Sequence, residues 1–352
     1  MSIKSNVTAA RTITQDRVQR VATVAEATVG PAPRVRGSLA RRRAALPPGL
    51  LLGALGVLAF SFSLPATRLA VADLDPWLVA FGRAVVAGLL SVLVLTATHA
   101  PRPTPAQWRS LTLVAIGVVV GFPLFTSLAL HRLPASHGAV VVGMLPAATA
   151  VAAVLLAGER PTRAFWLASA AGLAAVLAFA LTRGGGGLGV PDLELLAAIV
   201  LCALGYAEGG RLSRELGGAR TICWALVLSL PVTITVATVA LVHDGAHAGA
   251  TAWLGFAYVS LISMFLGFFA WYAGLALGGV AKIGQVQLAQ PVLGLVWAAL
   301  ILGESVGPAT VLAALVVLAC VVATQRVEPA AQVGARAQTL GRSRTRVGSR
   351  RQ

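Results

Sequence analysis

Long apolar runs, separated only by short polar joints, fill the chain from residue 49 to residue 325. Ten such runs lie near 49–71, 77–98, 108–130, 135–157, 164–182, 193–214, 221–242, 252–276, 280–302 and 308–325. Crossing a hydrocarbon core of about 30 Å takes a helix of roughly 20 apolar residues. The runs do not alternate apolar and polar positions, as the roughly ten-residue strands of a membrane barrel do. Helices satisfy their own backbone groups in lipid, so the pattern predicts ten transmembrane helices. The joints are short, so these helices must pack directly on one another.

Composition agrees with a membrane protein. The chain is 57% hydrophobic and 11% charged, with mean hydropathy +0.82. The first apolar run begins after about 48 residues and is too long for the core of a cleavable signal. Residues 1–48 read as a disordered basic leader, and 327–352 as a second basic tail. The net charge of +16 first suggests nucleic acid, but its distribution does not. Nine Lys+Arg precede residue 48, seven follow from Arg326, and neither tail holds an aromatic residue. Such clusters beside a membrane domain read as topological signals and as attraction to anionic lipid. Cys202, Cys223 and Cys320 show no metal or redox spacing and read as small core residues.

The loop charges predict orientation. Alternate joints carry Arg102 and Arg109, then Arg160 and Arg163, then Arg211, Arg214 and Arg220, then Lys282. The opposite ends carry Arg68, Arg132 and Arg183 against Asp73, Asp75, Asp192, Glu194, Asp244 and Glu304. The cation-rich side faces the cytoplasm, which places both termini there and predicts a plasma (inner) membrane protein.

The chain also carries a trace of duplication. Displaced by 145 residues, Pro146 falls on Pro291 and Gly158-Glu159 on Gly303-Glu304, with the same 13-residue interval from Pro to Glu. Each half then holds five helices, 49–182 and 193–326, joined by a Gly-rich linker at 183–192. An odd number of spans per half forces opposite orientations. Inverted repeats are an architecture of alternating-access transporters.

With these features the chain resembles the EamA-type transporters of the drug/metabolite transporter superfamily. The likeness rests on the small-residue starts Ala135-Ser136-His137-Gly138-Ala139 and Val280-Ala281-Lys282-Ile283-Gly284. It rests further on Pro146 and Pro291, the Glu159 and Glu304 exits, and Phe81-Gly82-Arg83. The resemblance implies ten helices in two inverted five-helix repeats, a substrate cavity between the halves, and helices five and ten at the periphery. It also implies export or exchange of small metabolites, amino acids or drug-like compounds.

Candidate site residues follow from polarity inside the spans. Glu208 is the one acid placed well inside a run; it either exchanges protons or reads an amine, or pairs with Arg211 three residues on. Arg83 either binds an anionic group or extends to the outer interface. Gln287, Gln290 and Gly294 share one helix face beside Pro291, where an amide lines a cavity or bonds another helix; Gln285 is a weaker member. Phe268, Phe269, Trp271 and Tyr272 form an aromatic run, with Tyr206, Phe60, Phe62, Phe122 and Phe125 on other helices. These hold a substrate or serve packing. Trp77, Trp108, Trp166 and Trp253 lie near span ends, as interfacial belts do.

No HExxH, GxSxG or Asp-rich prenyl-transfer signature is present, Gly184 to Gly187 lacks the Lys-Ser/Thr of a phosphate loop, and no cofactor is expected. The sequence thus reads as a secondary transporter, with a small molecule, the bilayer and protons as partners and a second copy of the chain left open. A membrane scaffold or a lipid-modifying enzyme are the alternatives.

Overall fold

The computed structural model describes residues 47–157, 163–183, 189–278, 283 and 286–326. Both basic tails, Glu159, Lys282, Gln285 and the four-glycine linker lie outside them.

Ten helical stretches run through the described residues. They are α1 (Pro48–Ser61 and Ser63–Ala70), α2 (Pro76–Ala97), α3 (Pro105–Val114, a π-helical segment Ala115–Gly121, and Phe122–Arg132) and α4 (Ala135–Val142 and Leu145–Ala157). Next come α5 (Arg163–Arg183), α6 (Val190–Leu216) and α7 (Gly218–Asp244). Last are α8 (Ala250–Ala257, a π-helical segment Tyr258–Leu266, and Gly267–Gly278), α9 (a 3-10 turn Val286–Leu288 and Ala289–Leu302) and α10 (Pro308–Arg326). Seven are long and apolar enough to cross a bilayer; α5, α9 and α10 contribute shorter apolar stretches. The seven are the part of the ten-span expectation that length and composition support.

Local chemistry explains the starts and breaks. Proline opens α1, α2, α3 and α10, where its missing N–H costs nothing. Asp75 caps α2, its carboxylate accepting from the N–H of Trp77 and Leu78 at 2.9 and 3.0 Å. Thr104 and Gln107 form a reciprocal capping box on α3. Pro123 gives no N–H to the turn before it, and that turn is the π-helical one. Pro146 likewise follows a break at Gly143-Met144, and Pro291 follows the 3-10 turn. Two kinds of interruption recur in both halves, π segments in α3 and α8 and breaks beside proline in α4 and α9, whereas α1 breaks at Phe62 and α6 is continuous.

Packing joins one half to the other. The most extensive contacts are α1 on α8 and α3 on α6, followed by α2 on α7, α4 on α6 and α5 on α10. The α1–α8 pair approaches backbone to backbone. A Cβ on Gly274 would sit 2.7 Å from the amide nitrogen of Gly53, and one on Gly56 would sit 3.0 Å from the Cα of Trp271. Further along, Ser63 and Ser263 hydroxyls meet at 2.7 Å and Gly255 abuts Ala66 and Ala70. Rising numbers on α1 meet falling numbers on α8, so the pair is antiparallel. The α3–α6 pair repeats the arrangement, with Gly117 against Leu201 and Gly205. Small residues are what membrane helices use for close approach, because lipid tails supply no hydrophobic drive between them.

The outside is apolar. Leu254, Leu300 and Val242 expose 71%, 70% and 80% of their surface, among many exposed Leu, Ile and Val. A surface of that kind needs hydrocarbon around it. Gly274→Val should lower the unfolding midpoint in detergent, by overpacking worth about 1–3 kcal/mol. Leu300→Ala on the lipid face should change stability by no more than about 0.5 kcal/mol. Equal effects of the two would contradict the seam.

Candidate functional site

Four helices converge on a buried aromatic cluster. Phe60 of α1 meets Phe268 and Trp271 of α8 at ring-centroid distances of 4.8 and 6.1 Å. Tyr206 of α6 meets Phe268 at 6.1 Å and Trp271 at 5.8 Å, and Phe268 meets Tyr272 at 5.5 Å. Gly209 leaves the space that the Tyr272 phenol fills, since a Cβ there would strike its ring. Arg83 of α2 is buried at 2% exposure, and Tyr206 and Cys202 are the titratable groups near it. Three polar atoms here are buried without a hydrogen-bond partner: Arg83 Nε, Trp271 Nε1 and Tyr272 Oη.

A second feature lies on the other side of α1. A narrow crevice with about 10 Å³ of free space is lined by Ser61 and Leu64 of α1, Ala139 and Gly143 of α4, and Gln290 and Pro291 of α9. Both proline-broken helices border it. Gln287 is buried and its amide donates weakly to Gln290 at 3.5 Å. Trp297 donates to Ser61 at 2.9 Å. Phe60 and Ser61 are neighbours in sequence, so α1 serves the aromatic cluster with one residue and the crevice with the next.

The candidate residues therefore fall into separate places. Arg83, Tyr206, Trp271 and Tyr272 come together; Gln287, Gln290 and Pro291 form the second group, with Pro146 just past the Gly143 break. Glu208 joins neither. Its oxygens accept from Arg211 Nε at 3.2 Å and Nη2 at 2.6 Å, and Arg211 also reaches Glu215 and Ser110. Arg211 is half exposed, so this is an interfacial network. Glu304 accepts from the N–H groups of Ala135 and Ser136 at 2.7 and 2.8 Å and thereby caps α4 from the end of α9.

The sequence did not point to the other bonds at that end. His137 Nε2 and Asp192 lie 2.8 Å apart, both about 6% exposed, and Arg132 pairs with Glu194. Asp73 accepts from the Gly249 N–H at 2.9 Å. These five side chains lie at helix ends assigned to one side, which was the available signal; the pairing needed the fold. Among the described residues every carboxylate is thereby engaged. Glu194, Glu208 and Glu215 meet arginines. Asp192 and Asp244 meet histidines. Asp73, Asp75 and Glu304 meet backbone N–H groups. No group of three or more His, Cys, Asp and Glu able to hold a metal is found among the described residues.

The profile of the EamA-like transporter family matches residues 47–181 and again 191–324. The chain belongs to this family. Over 278 residues the EamA-like chain is 49% identical to a Bacillus subtilis (strain 168) protein described as the uncharacterized transporter YdeK, covering 79% of this chain and 97% of that one. A crystal structure of another protein, 18% identical, matches with a TM-score of 0.56 over 81% of this chain and 100% of that one; this likeness shows shared fold alone. An EamA-like chain of the drug/metabolite transporter superfamily is a membrane transporter and not an enzyme.

Removing the cap from α4 should be measurable. Glu304→Ala leaves two N–H groups without their acceptor and should cost about 1–2 kcal/mol, read as a lower unfolding midpoint, with Glu304→Gln intermediate. An unchanged midpoint in Glu304→Ala would contradict the cap.

Proposed function

We propose that this protein is a secondary transporter that moves a small molecule across the plasma (inner) membrane by alternating access between two inverted five-helix halves, 49–182 and 193–326. The carrying observation is the family profile matching twice, once over each half. Paired interruptions in α3 and α8, and in α4 and α9, support two copies of one unit. Opposite orientation is supported by the helix ends. The end of α1 meets the end of α3 through Arg68 to the carbonyls of Leu130 and His131, and that end of α3 meets the start of α6 through Arg132 and Glu194. The second half therefore begins at the face where α1 ends. The loop charges assign that face to the outside and both termini to the cytoplasm.

Broken helices that meet at mid-membrane are where such transporters hold substrate. In this reading, the cross-half bonds His137–Asp192, Arg132–Glu194, Glu304 to α4 and Asp73 to Gly249 close the outer ends. Opening to the outside requires parting them. Export is the direction that the family resemblance implies.

Counterflow in proteoliposomes tests the reading: at least one labelled compound of a broad panel of metabolites and drug-like compounds should accumulate against unlabelled compound inside. Absence of accumulation for the whole panel would contradict transport. Thiol labelling of cysteines placed at Ser2 and Ser349 in cells should require permeabilised membranes; labelling from outside would reverse the orientation. Glu208, held by Arg211, is assigned to the interfacial pair. Glu208→Gln should retain flux under a pH gradient and cost at most about 1 kcal/mol of stability. Loss of that flux in a folded variant would make Glu208 the coupling carboxylate instead.

A further inference from the structure

Arg83 carries a charge that the described residues leave unneutralised. It sits in the second turn of α2, 2% exposed, with Nε buried and without an acceptor. The guanidinium makes no hydrogen bond or ion pair among the described residues, and each described carboxylate is engaged elsewhere. Burying a cation without a counter-ion costs several kcal/mol, so an arrangement of this kind calls for an anionic partner that the described residues do not supply. Two more donors stand unused in the same cluster, Trp271 Nε1 and Tyr272 Oη. The rest of the wall is aromatic: Phe60, Tyr206 and Phe268.

A buried cation and two buried neutral donors beside an aromatic cluster match one ligand chemistry. We propose that Arg83 anchors the anionic group of the transported molecule, an organic anion with a flat or apolar body, while Trp271 and Tyr272 donate to that anion and the aromatic rings hold the body. This rests on the transporter reading and adds a substrate class to it. Guanidinium takes carboxylate and phosphate alike in a bidentate fork, so both headgroups belong to the class. A neutral or cationic compound would leave Arg83 as it stands, dry and unpaired. Inorganic anions would satisfy Arg83 and leave the aromatic wall without a role.

The test measures binding and flux separately on the full-length protein. Benzoate, phenyl phosphate, uncharged benzamide, benzylamine and chloride are each titrated against the detergent-solubilised protein by thermal unfolding. Benzoate or phenyl phosphate, whichever headgroup the site takes, should raise the midpoint in a saturable way; benzamide, benzylamine and chloride should not. Arg83→Gln should weaken the anion's binding by about tenfold or more, and Arg83→Lys should restore part of it. Should Arg83→Gln fail to fold, Tyr272→Phe removes one buried hydroxyl at nearly constant volume and should weaken binding about threefold or more. The proposal is overturned if neither aromatic anion binds, if benzamide protects equally, if chloride alone gives the full effect, or if the folded variants bind like the parent. Flux separates the two readings. Arg83-dependent anion binding without movement in proteoliposomes would keep the anion site and sink transport. Neutral or cationic compounds moving at the parent rate in Arg83→Gln would keep transport and sink the anion site.

Discussion

Close backbone approach between antiparallel helices of opposite halves governs this protein. Lipid tails are as apolar as leucine, so nothing squeezes membrane helices together as water squeezes a soluble core. Contact at Gly53, Gly56 and Gly274 brings α1 and α8 together over several turns. Once those backbones touch, large side chains can only leave the seam sideways. Phe60, Phe268 and Trp271 gather on one side, and Ser61 faces the crevice on the other. The same logic at Gly117 and Gly205 brings α3 against α6, while Gly209 admits the ring of Tyr272 beside Tyr206.

Charge is distributed by a second constraint. Carboxylates sit at helix ends and spend themselves on caps and pairs: Asp75 on its own helix, Glu304 on α4, Asp192 on His137. These bonds are local or cross-half, and each satisfies a helix terminus or a nearby cation. Arg83, in the second turn of α2, is paired with none of the described carboxylates.

Much of the architecture was legible in the sequence because hydropathy and bilayer thickness share one length scale. The ten runs agree with the helical stretches to within about three residues in the described parts. Pro146 and Pro291 were legible as a repeated spacing, and each lies beside a helix interruption, since a ring without an N–H breaks the ladder. The π segment of α8 had no such mark, because nothing like Pro123 follows it. The site was legible only in pieces. Arg83, Tyr206, Trp271 and Tyr272 stood out as polar or aromatic residues inside spans, yet their meeting depends on which helices cross. Glu208 attracted notice by the same rule, and the fold commits it to Arg211, an i,i+3 neighbour that the sequence also showed. That Arg83 has no partner among the described residues depends on all the described carboxylates together, and no single stretch of sequence contains it.

In the proposed reading the two halves move against each other, so the outer ends part and rejoin. Arg132 and Glu194 mark those ends and pair across the halves. Spin labels on cysteines at these two positions, with the protein in proteoliposomes, read that separation directly by pulsed dipolar spectroscopy. The account predicts two populations, one as short as the paired ends and one longer, whose balance shifts when a transported compound is added. A single short population under every condition would contradict it.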